Sequence, residues 1–302
     1  MKALATFIMQ GGRQATVVVA TLAILSLLMP PIIIISVAAL CLVTLRRGAA
    51  EGVRVMVGST VATALIGYVL LGSPVVSLTY LCIMWLPAFL VALVFRETGK
   101  FNKALECLVL LGMLAVLGIY LMVDSPSQQW VMGIEGAIKT ISQQQDLLLT
   151  EGELRLGIEF WSHYMTGIVV AGSLASLVMS LLLARWWQGL LYNPGGFSEE
   201  FAKIRLVPRD AIVFIVLIVA AVSLNNELSE LLWNLDIPML LLFLMVGMSV
   251  VQGIVKKKSK GQFFLFAFYV AVFFIPHLML PIVLIGLSDV WLDWRQRFNS
   301  NT

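Results

Sequence analysis

Between residues 53 and 95 the chain runs through two apolar stretches, 53–71 and 75–95, broken only by Gly72-Ser73-Pro74 and carrying one charge, Arg54. A helix rises 1.5 Å per residue, and about 20 apolar residues cross the roughly 30 Å hydrocarbon core of a bilayer. Each stretch therefore reads as a membrane-spanning helix. Further runs follow at 104–123, 166–186, 211–224 and 238–255. Only 12% of the 302 residues are charged, and mean hydropathy is +0.96. Soluble domains carry about 25% charged residues, and none of this size hides so much apolar surface. The runs are continuous rather than alternating, which excludes a transmembrane β-barrel. The expected fold is an all-α polytopic membrane protein of about 8–10 segments, with residues 1–302 forming one integral membrane domain.

The two ends of the chain are less regular. Runs 16–28 and 32–45 are separated by Met29-Pro30-Pro31, and run 263–290 is broken by Pro276 and Pro281. Basic residues decide between readings, because cytoplasmic loops are rich in Lys and Arg. Eighteen of the 20 basic residues fall on one side if both ends form hairpins, leaving Lys139 and Arg155 opposite. Both termini are then cytoplasmic, in a bacterial inner membrane. Each arm of the first hairpin is only about 20 Å long, so it must be re-entrant or lie where the bilayer thins. The rival is a single kinked span at each end. No apolar core of signal-peptide type precedes Arg13, and no small-residue cleavage site follows the next run, so no cleavage is expected.

The opposite face is acidic. Asp124, Glu135, Asp146, Glu151, Glu153 and Glu159 lie in a loop at 124–162, and Glu227, Glu230 and Asp236 in a shorter one. Trp130, Ile134, Ile141 and the cluster 147–149 recur at roughly helical spacing. An amphipathic helix is expected there, either an interfacial anchor or a lid over an outward-facing cavity. No internal repeat is visible, and the Pro-broken runs do not occupy matching places in two halves.

The most elaborate polar turn is Tyr192-Asn193-Pro194-Gly195-Gly196-Phe197-Ser198-Glu199-Glu200-Phe201, which follows Arg185-Trp186-Trp187. Pro presets φ at one turn position and Gly permits positive φ at the next. Ser198 is placed to cap a short helix with Glu199 and Glu200 in its first turn. Phe197, Phe201 and Ile204 share one face, and Glu199 pairs with Lys203 on the other. Pro208 ends the element. Residues 187–210 are thus expected to form a cytoplasmic elbow lying flat under the membrane. It serves either as the bend a re-entering chain needs or as a docking surface for a cytoplasmic or membrane protein. Its glycines do not form a phosphate loop, for no Lys-Ser/Thr follows them and no strand precedes them.

With the early Pro-Pro hairpin, the stretch NPGGFSEEFAKIRLVP resembles the YybS-like bacterial membrane proteins, a family of unknown function. The resemblance covers most of the chain, and this stretch is its one sharp motif. It implies a distant kinship with the substrate-binding membrane subunits of energy-coupling-factor vitamin transporters. It also implies a compact helical bundle with a ligand pocket, and it brings no catalytic residues.

Ionisable groups inside a membrane are the first functional candidates, and no Asp or Glu falls near the centre of an assigned span. His277 lies between Pro276 and Pro281, whose rings free backbone carbonyls. Together with Pro30 and Pro31 these residues form a candidate pocket, unless His277 stands in water at the hairpin tip. His163, beside Trp161 and Tyr164, reads as an interfacial belt residue. Cys41, Cys82 and Cys107 read as small apolar packing residues. Two distant histidines and no cysteine cluster give no expected metal site, and no nucleotide, cofactor or nucleic-acid motif is present. Lys256-Lys257-Lys258-Ser259-Lys260 is a juxtamembrane basic run attractive to anionic lipid. The leading expectation is a non-enzymatic binding or transporter-subunit-like protein for a small molecule or lipid. The alternative is a membrane scaffold or assembly factor acting through its cytoplasmic loops. A lipid-processing enzyme is a third reading, poorly supplied with polar residues.

Overall fold

The computed structural model describes residues 1–142, 151–192, 196–224, 226–256 and 261–299, and their regular elements are all helices. Helix α1 (Lys2–Gln10) buries Ala5 and Ile8, and extended backbone at Gly11 separates it from α2 (Gly12–Leu25). The chain turns back through a 3-10 turn at Pro30–Ile32 and returns as α3 (Ile33–Arg47). Pro30 and Pro31 sit at the start of the turn, where a missing N–H costs nothing. The hairpin is closed by the Ser36 hydroxyl, which donates to the Val19 carbonyl at 2.8 Å. The N-terminal segment is therefore a hairpin and not one kinked span. Its return arm is the centre of the first half of the molecule: every residue from 36 to 45 is buried. Small residues at Ser36, Ala38, Ala39 and Cys41 let neighbours close in around it.

Gly48, at φ 97, makes the corner into α4 (Ala49–Leu71). Arg96 reaches the carbonyls at the end of α3, its Nη1 donating to Leu45 at 3.0 Å and to Thr44, which also accepts from the Gly48 N–H, at 3.3 Å. Helix α5 (Val75–Thr98) widens to a π-turn at Tyr80–Trp85 just before Pro87. The wider turn relieves the clash a proline ring makes with the carbonyl four residues back. Helices α6 (Phe101–Met122) and α7 (Pro126–Ser142) precede α8 (Glu151–Tyr192), which is 42 residues long. At about 63 Å, α8 outreaches the bilayer core by half its length. The remaining elements are α9 (Gly196–Phe201), α10 (Pro208–Ser223), α11 (Glu227–Val255), α12 (Gly261–Phe274), α13 (Met279–Leu292) and α14 (Trp294–Asn299). Helix α11 is the axis of the second half and packs on α6, α8, α10 and α13.

Among the described residues six helices are long and apolar enough to cross a membrane, and a seventh span results if α12 and α13 are joined across their 112° bend. The protein is thus a polytopic all-α membrane protein with one continuous apolar core. The basic ends of α3, α5, α8 and α11 lie together at one end of the bundle, called here the basic face. The acidic face opposite carries α7 and the starts of α8 and α11.

Several element boundaries differ from the sequence expectation. Residues 151–162 belong to the long helix α8 rather than to a loop. Helix α11 begins at Glu227, eleven residues before Pro238, and carries that proline inside it. Pro208 opens α10 in place of closing the elbow.

Candidate functional site

The polar side chains of the acidic face converge where α6, α8 and α11 meet. Asn226 caps α11 by accepting from the Ser229 N–H at 3.3 Å, with Glu227 and Glu230 in the favoured first turn. Two turns on, Asn234 is fully buried. Its Oδ1 accepts from the Gly167 N–H at 2.6 Å, and its Nδ2 lies 2.6 Å from the His163 carbonyl. Those two groups are the i and i−4 partners of the α8 ladder, so the amide of Asn234 bridges one rung of a neighbouring helix. Gly167 makes this approach possible, since a Cβ there would stand 2.8 Å from the Asn234 carbonyl oxygen.

Glu230 extends the network outward. Its Oε1 accepts from the Tyr120 hydroxyl at 2.8 Å, and its Oε2 lies 2.6 Å from His163 Nδ1. The Tyr120 oxygen is also 3.0 Å from Asn234 Nδ2. His163 is half exposed and lines a cleft of about 440 Å³ between α7 and α8. Ser127, Gln128, Val131 and Met132 form one wall, and Arg155, Glu159, Ser162 and His163 the other. Trp130 holds α7 in place, its Nε1 donating to Thr166 Oγ1 at 2.9 Å. The expected amphipathic helix is thus present as α7, and it stacks on the protruding part of α8 and roofs a polar cleft. The cluster 147–149 lies outside the described residues.

The sequence expectation, which places Glu227, Glu230 and Asp236 in a loop, does not find this site. The missed signal was Asn226 followed by Leu228, Leu231, Leu232 and Leu235, a capped helical face. With that stretch helical, Asp236 also enters α11. It is 3% exposed, and neither carboxylate oxygen has a hydrogen-bond partner among the described residues. His163, expected as an interfacial belt residue, is the link between cleft and network.

The elbow on the basic face is built differently from the expected flat surface helix. Asn193, Pro194 and Gly195 lie outside the described residues, and helix α9 spans only Gly196–Phe201. Ser198 does not cap it, for the helix starts two residues earlier. The Gln252 amide donates instead to both the Ser198 carbonyl and its hydroxyl, each at 3.1 Å. Neighbours donate to the carbonyls at the end of this short helix: Ser249 to Phe201 at 2.7 Å, and Arg295 to Ala202 at 3.1 Å and Ile204 at 2.6 Å. Phe201 and Ile204 are buried in protein, Phe201 edge-on to Phe101, and Phe197 packs beside them. Glu200 pairs with Arg185, and among the described ion pairs none joins Glu199 to Lys203. The Arg46 guanidinium lies over the Tyr192 ring, 4.2 Å from its centre. Arg205 grips both carboxylate oxygens of Asp293 at 2.7 and 2.8 Å.

The candidate pocket of Pro30, Pro31, Pro276, His277 and Pro281 is not assembled. All five residues are exposed, at the tips of two hairpins that pack on different helices, α2–α3 against α8 and α13 against α11. The freed carbonyls lie at those tips rather than around a cavity. Cys41 is buried, Cys107 half-buried and Cys82 exposed, and no cluster of metal-ligating side chains occurs among the described residues.

Over residues 17–290 the chain matches the family described as "Predicted membrane protein (DUF2232)", and it belongs to that family. Neither a curated protein nor a solved structure matches it.

Proposed function

We propose that this member of a predicted membrane-protein family is a binding subunit, not an enzyme, and that it takes a small polar molecule into the α7–α8 cleft. The observation that carries this reading is the placement of His163. Its ring lines the cleft, and through Glu230 it is hydrogen-bonded to the Asn234 joint between α8 and α11. A solute touching His163 is therefore two hydrogen bonds from a helix that runs the depth of the bundle. The cleft has the size of a small-molecule site. It offers one cation, Arg155, one carboxylate, Glu159, and neutral donors at Ser127, Gln128 and Ser162. That set suits a zwitterionic or multiply hydrogen-bonding solute better than an apolar one. In this reading the basic face is cytoplasmic in a bacterial inner membrane, and the cleft opens outward.

The test is native mass spectrometry of protein extracted into lipid nanodiscs. A small molecule retained by the wild type and lost from Arg155→Ala/Glu159→Ala supports the reading. Retention unaffected by that double change removes the cleft as the site. A scaffold role is the second reading, favoured by the elbow's tight anchorage to α11 and α14. It would use the exposed side chains that remain there, Glu199 and Lys203. A protein partner lost on changing those two, with no ligand in the cleft, would favour it.

A further inference from the structure

A separate cavity of about 650 Å³ opens between α2 and α4, lined by Gly12, Arg13, Thr16, Val17, Glu51, Arg54 and Val55. The two helices start together and run in the same direction. A Cβ at Gly12 would lie 3.2 Å from Glu51 Oε2, and one at Gly58 would lie 3.2 Å from Thr16 Cγ2. The Ser59 hydroxyl reaches the Thr16 carbonyl at 3.4 Å. Each helix therefore presents an arginine near its first turns, Arg13 and Arg54, on the rim of one groove. Val17, which lines the cavity, is 59% exposed, and farther along α4 the exposed side chains are apolar, with Val57 53%, Val61 53% and Leu65 65% exposed. Glu51 pairs with Arg54 at 2.6 Å, while Arg13 has no ion pair among the described residues. Two guanidiniums against one carboxylate leave a single positive charge at the mouth.

We propose that this groove binds one anionic glycerophospholipid, its phosphodiester held by Arg13 and Arg54 and an acyl chain laid along Val17, Val57 and Val61. A phosphodiester carries one negative charge, which matches the charge left at the mouth, and guanidinium is the side chain best suited to grip phosphate oxygens. The apolar stripe begins one turn from the arginines, as a lipid's tail begins directly below its headgroup. Helix α2 has 14 residues. At about 21 Å it is shorter than the bilayer core, so a headgroup beside it is drawn toward the membrane centre, into the cavity. A lipid here would fill the gap that the short helix leaves.

The full chain, delipidated in detergent, is titrated with dioleoyl phosphatidylglycerol, with dioleoyl phosphatidylcholine and with glycerol phosphate, and read by native mass spectrometry. One phosphatidylglycerol should bind ahead of phosphatidylcholine. Arg13→Ala should weaken it roughly fivefold, the effect of about 1 kcal/mol per charge. Arg13→Lys, which keeps the charge, should lose less. Val61→Trp should weaken it by filling the groove with the charges untouched, and melting curves show that each variant is folded. Equal binding of both lipids, with no response to Arg13→Ala, would overturn the site. Displacement of the lipid by glycerol phosphate alone would overturn the acyl-chain assignment and make this a free anion site.

Discussion

At the scale of single residues, Asn234 is the side chain whose replacement has the most specific consequence. In Asn234→Leu the Gly167 N–H and His163 carbonyl can bond to each other within α8, because the ladder they belong to is intact on both sides. The loss should therefore be about 1–3 kcal/mol, from a misfitting side chain and a less satisfied Tyr120. Asn234→Asp should be worse, about 3–5 kcal/mol if it is charged, because it would set a carboxylate against the carbonyls of His163 and Glu230 with no cation to pair it. Melting temperatures in detergent should fall in the order wild type, Asn234→Leu, Asn234→Asp; the reverse order of the two variants would mean that the amide bridge is not what holds this joint. On the basic face, partial burial alone would raise the Asp293 carboxyl. The Arg205 fork, the Gln296 N–H and the Arg295 charge outweigh it and hold the carboxyl below its ordinary range. A carboxyl lowered in the folded state stabilises above its unfolded pKa of about 3.9, and that contribution disappears as pH falls through the lower folded value. Wild type should melt above Asp293→Asn at pH 7, and the two curves should converge only in strong acid. A gap unchanged between pH 7 and pH 2 would show that Asp293 acts without its charge.

At the scale of elements, α11 and α13 approach each other backbone to backbone. Glycines 247 and 286 face each other across this crossing. A Cβ on Gly247 would fall inside the Ile282 carbonyl, and one on Gly286 inside the Phe243 carbonyl. Lipid tails are as apolar as side chains, so helices in a membrane associate through close packing of this kind rather than through water exclusion. Gly286→Leu should lever α13 away and loosen the α12–α14 region alone. Hydrogen exchange should rise there and stay low in α3, whose surroundings do not include α13. Exchange rising evenly over the chain would refute a local role for the crossing. The sequence made the long spans legible because their apolar runs have one reading each. It made the N-terminal hairpin legible because Pro30 and Pro31 stop a helix that the basic pattern then requires to return. It revealed α11 from Pro238 onward but not residues 227–237 before it, because Pro238 is normally a helix start and Glu227, Glu230 and Asp236 look like loop residues. Only tertiary partners such as Tyr120, His163 and Gly167 make a polar helix end worth burying. The elbow was legible as a turn and illegible as an anchored one. Ser249, Gln252 and Arg295, which bind its carbonyls, lie 45 or more residues away along the chain.

At the scale of the whole molecule, both terminal hairpins return the chain to the side it left, and this gathers the basic residues on one face. The C-terminal pair reverses by 112° about Ile275, so α14 ends beside the elbow, where Arg295 meets Ala202 and Ile204. Lys2 begins α1, which packs on α2 near the arginine ends of α3 and α4 and whose Met9 carbonyl accepts from Arg47. The two termini therefore share a face, and that face is the one proposed above to be cytoplasmic, on the positive-inside rule. A chain with Cys41, Cys82 and Cys107 replaced by alanine can carry single cysteines at Lys2, Glu135 or Arg297. Treated on whole cells with a membrane-impermeant maleimide, Glu135→Cys should label. Lys2→Cys and Arg297→Cys should label only after lysis. The inverse pattern would turn the molecule over and close the α7–α8 cleft to the outside, which would remove the basis for an outward-facing site. Labelling of one terminus but not the other would require an odd number of crossings and break the hairpin at the end that labels. The expected pattern leaves a molecule whose proposed cleft faces out and whose anchored elbow faces in, with α8 running from one to the other: it lines the cleft at Arg155 and His163 and holds Glu200 of the elbow through Arg185.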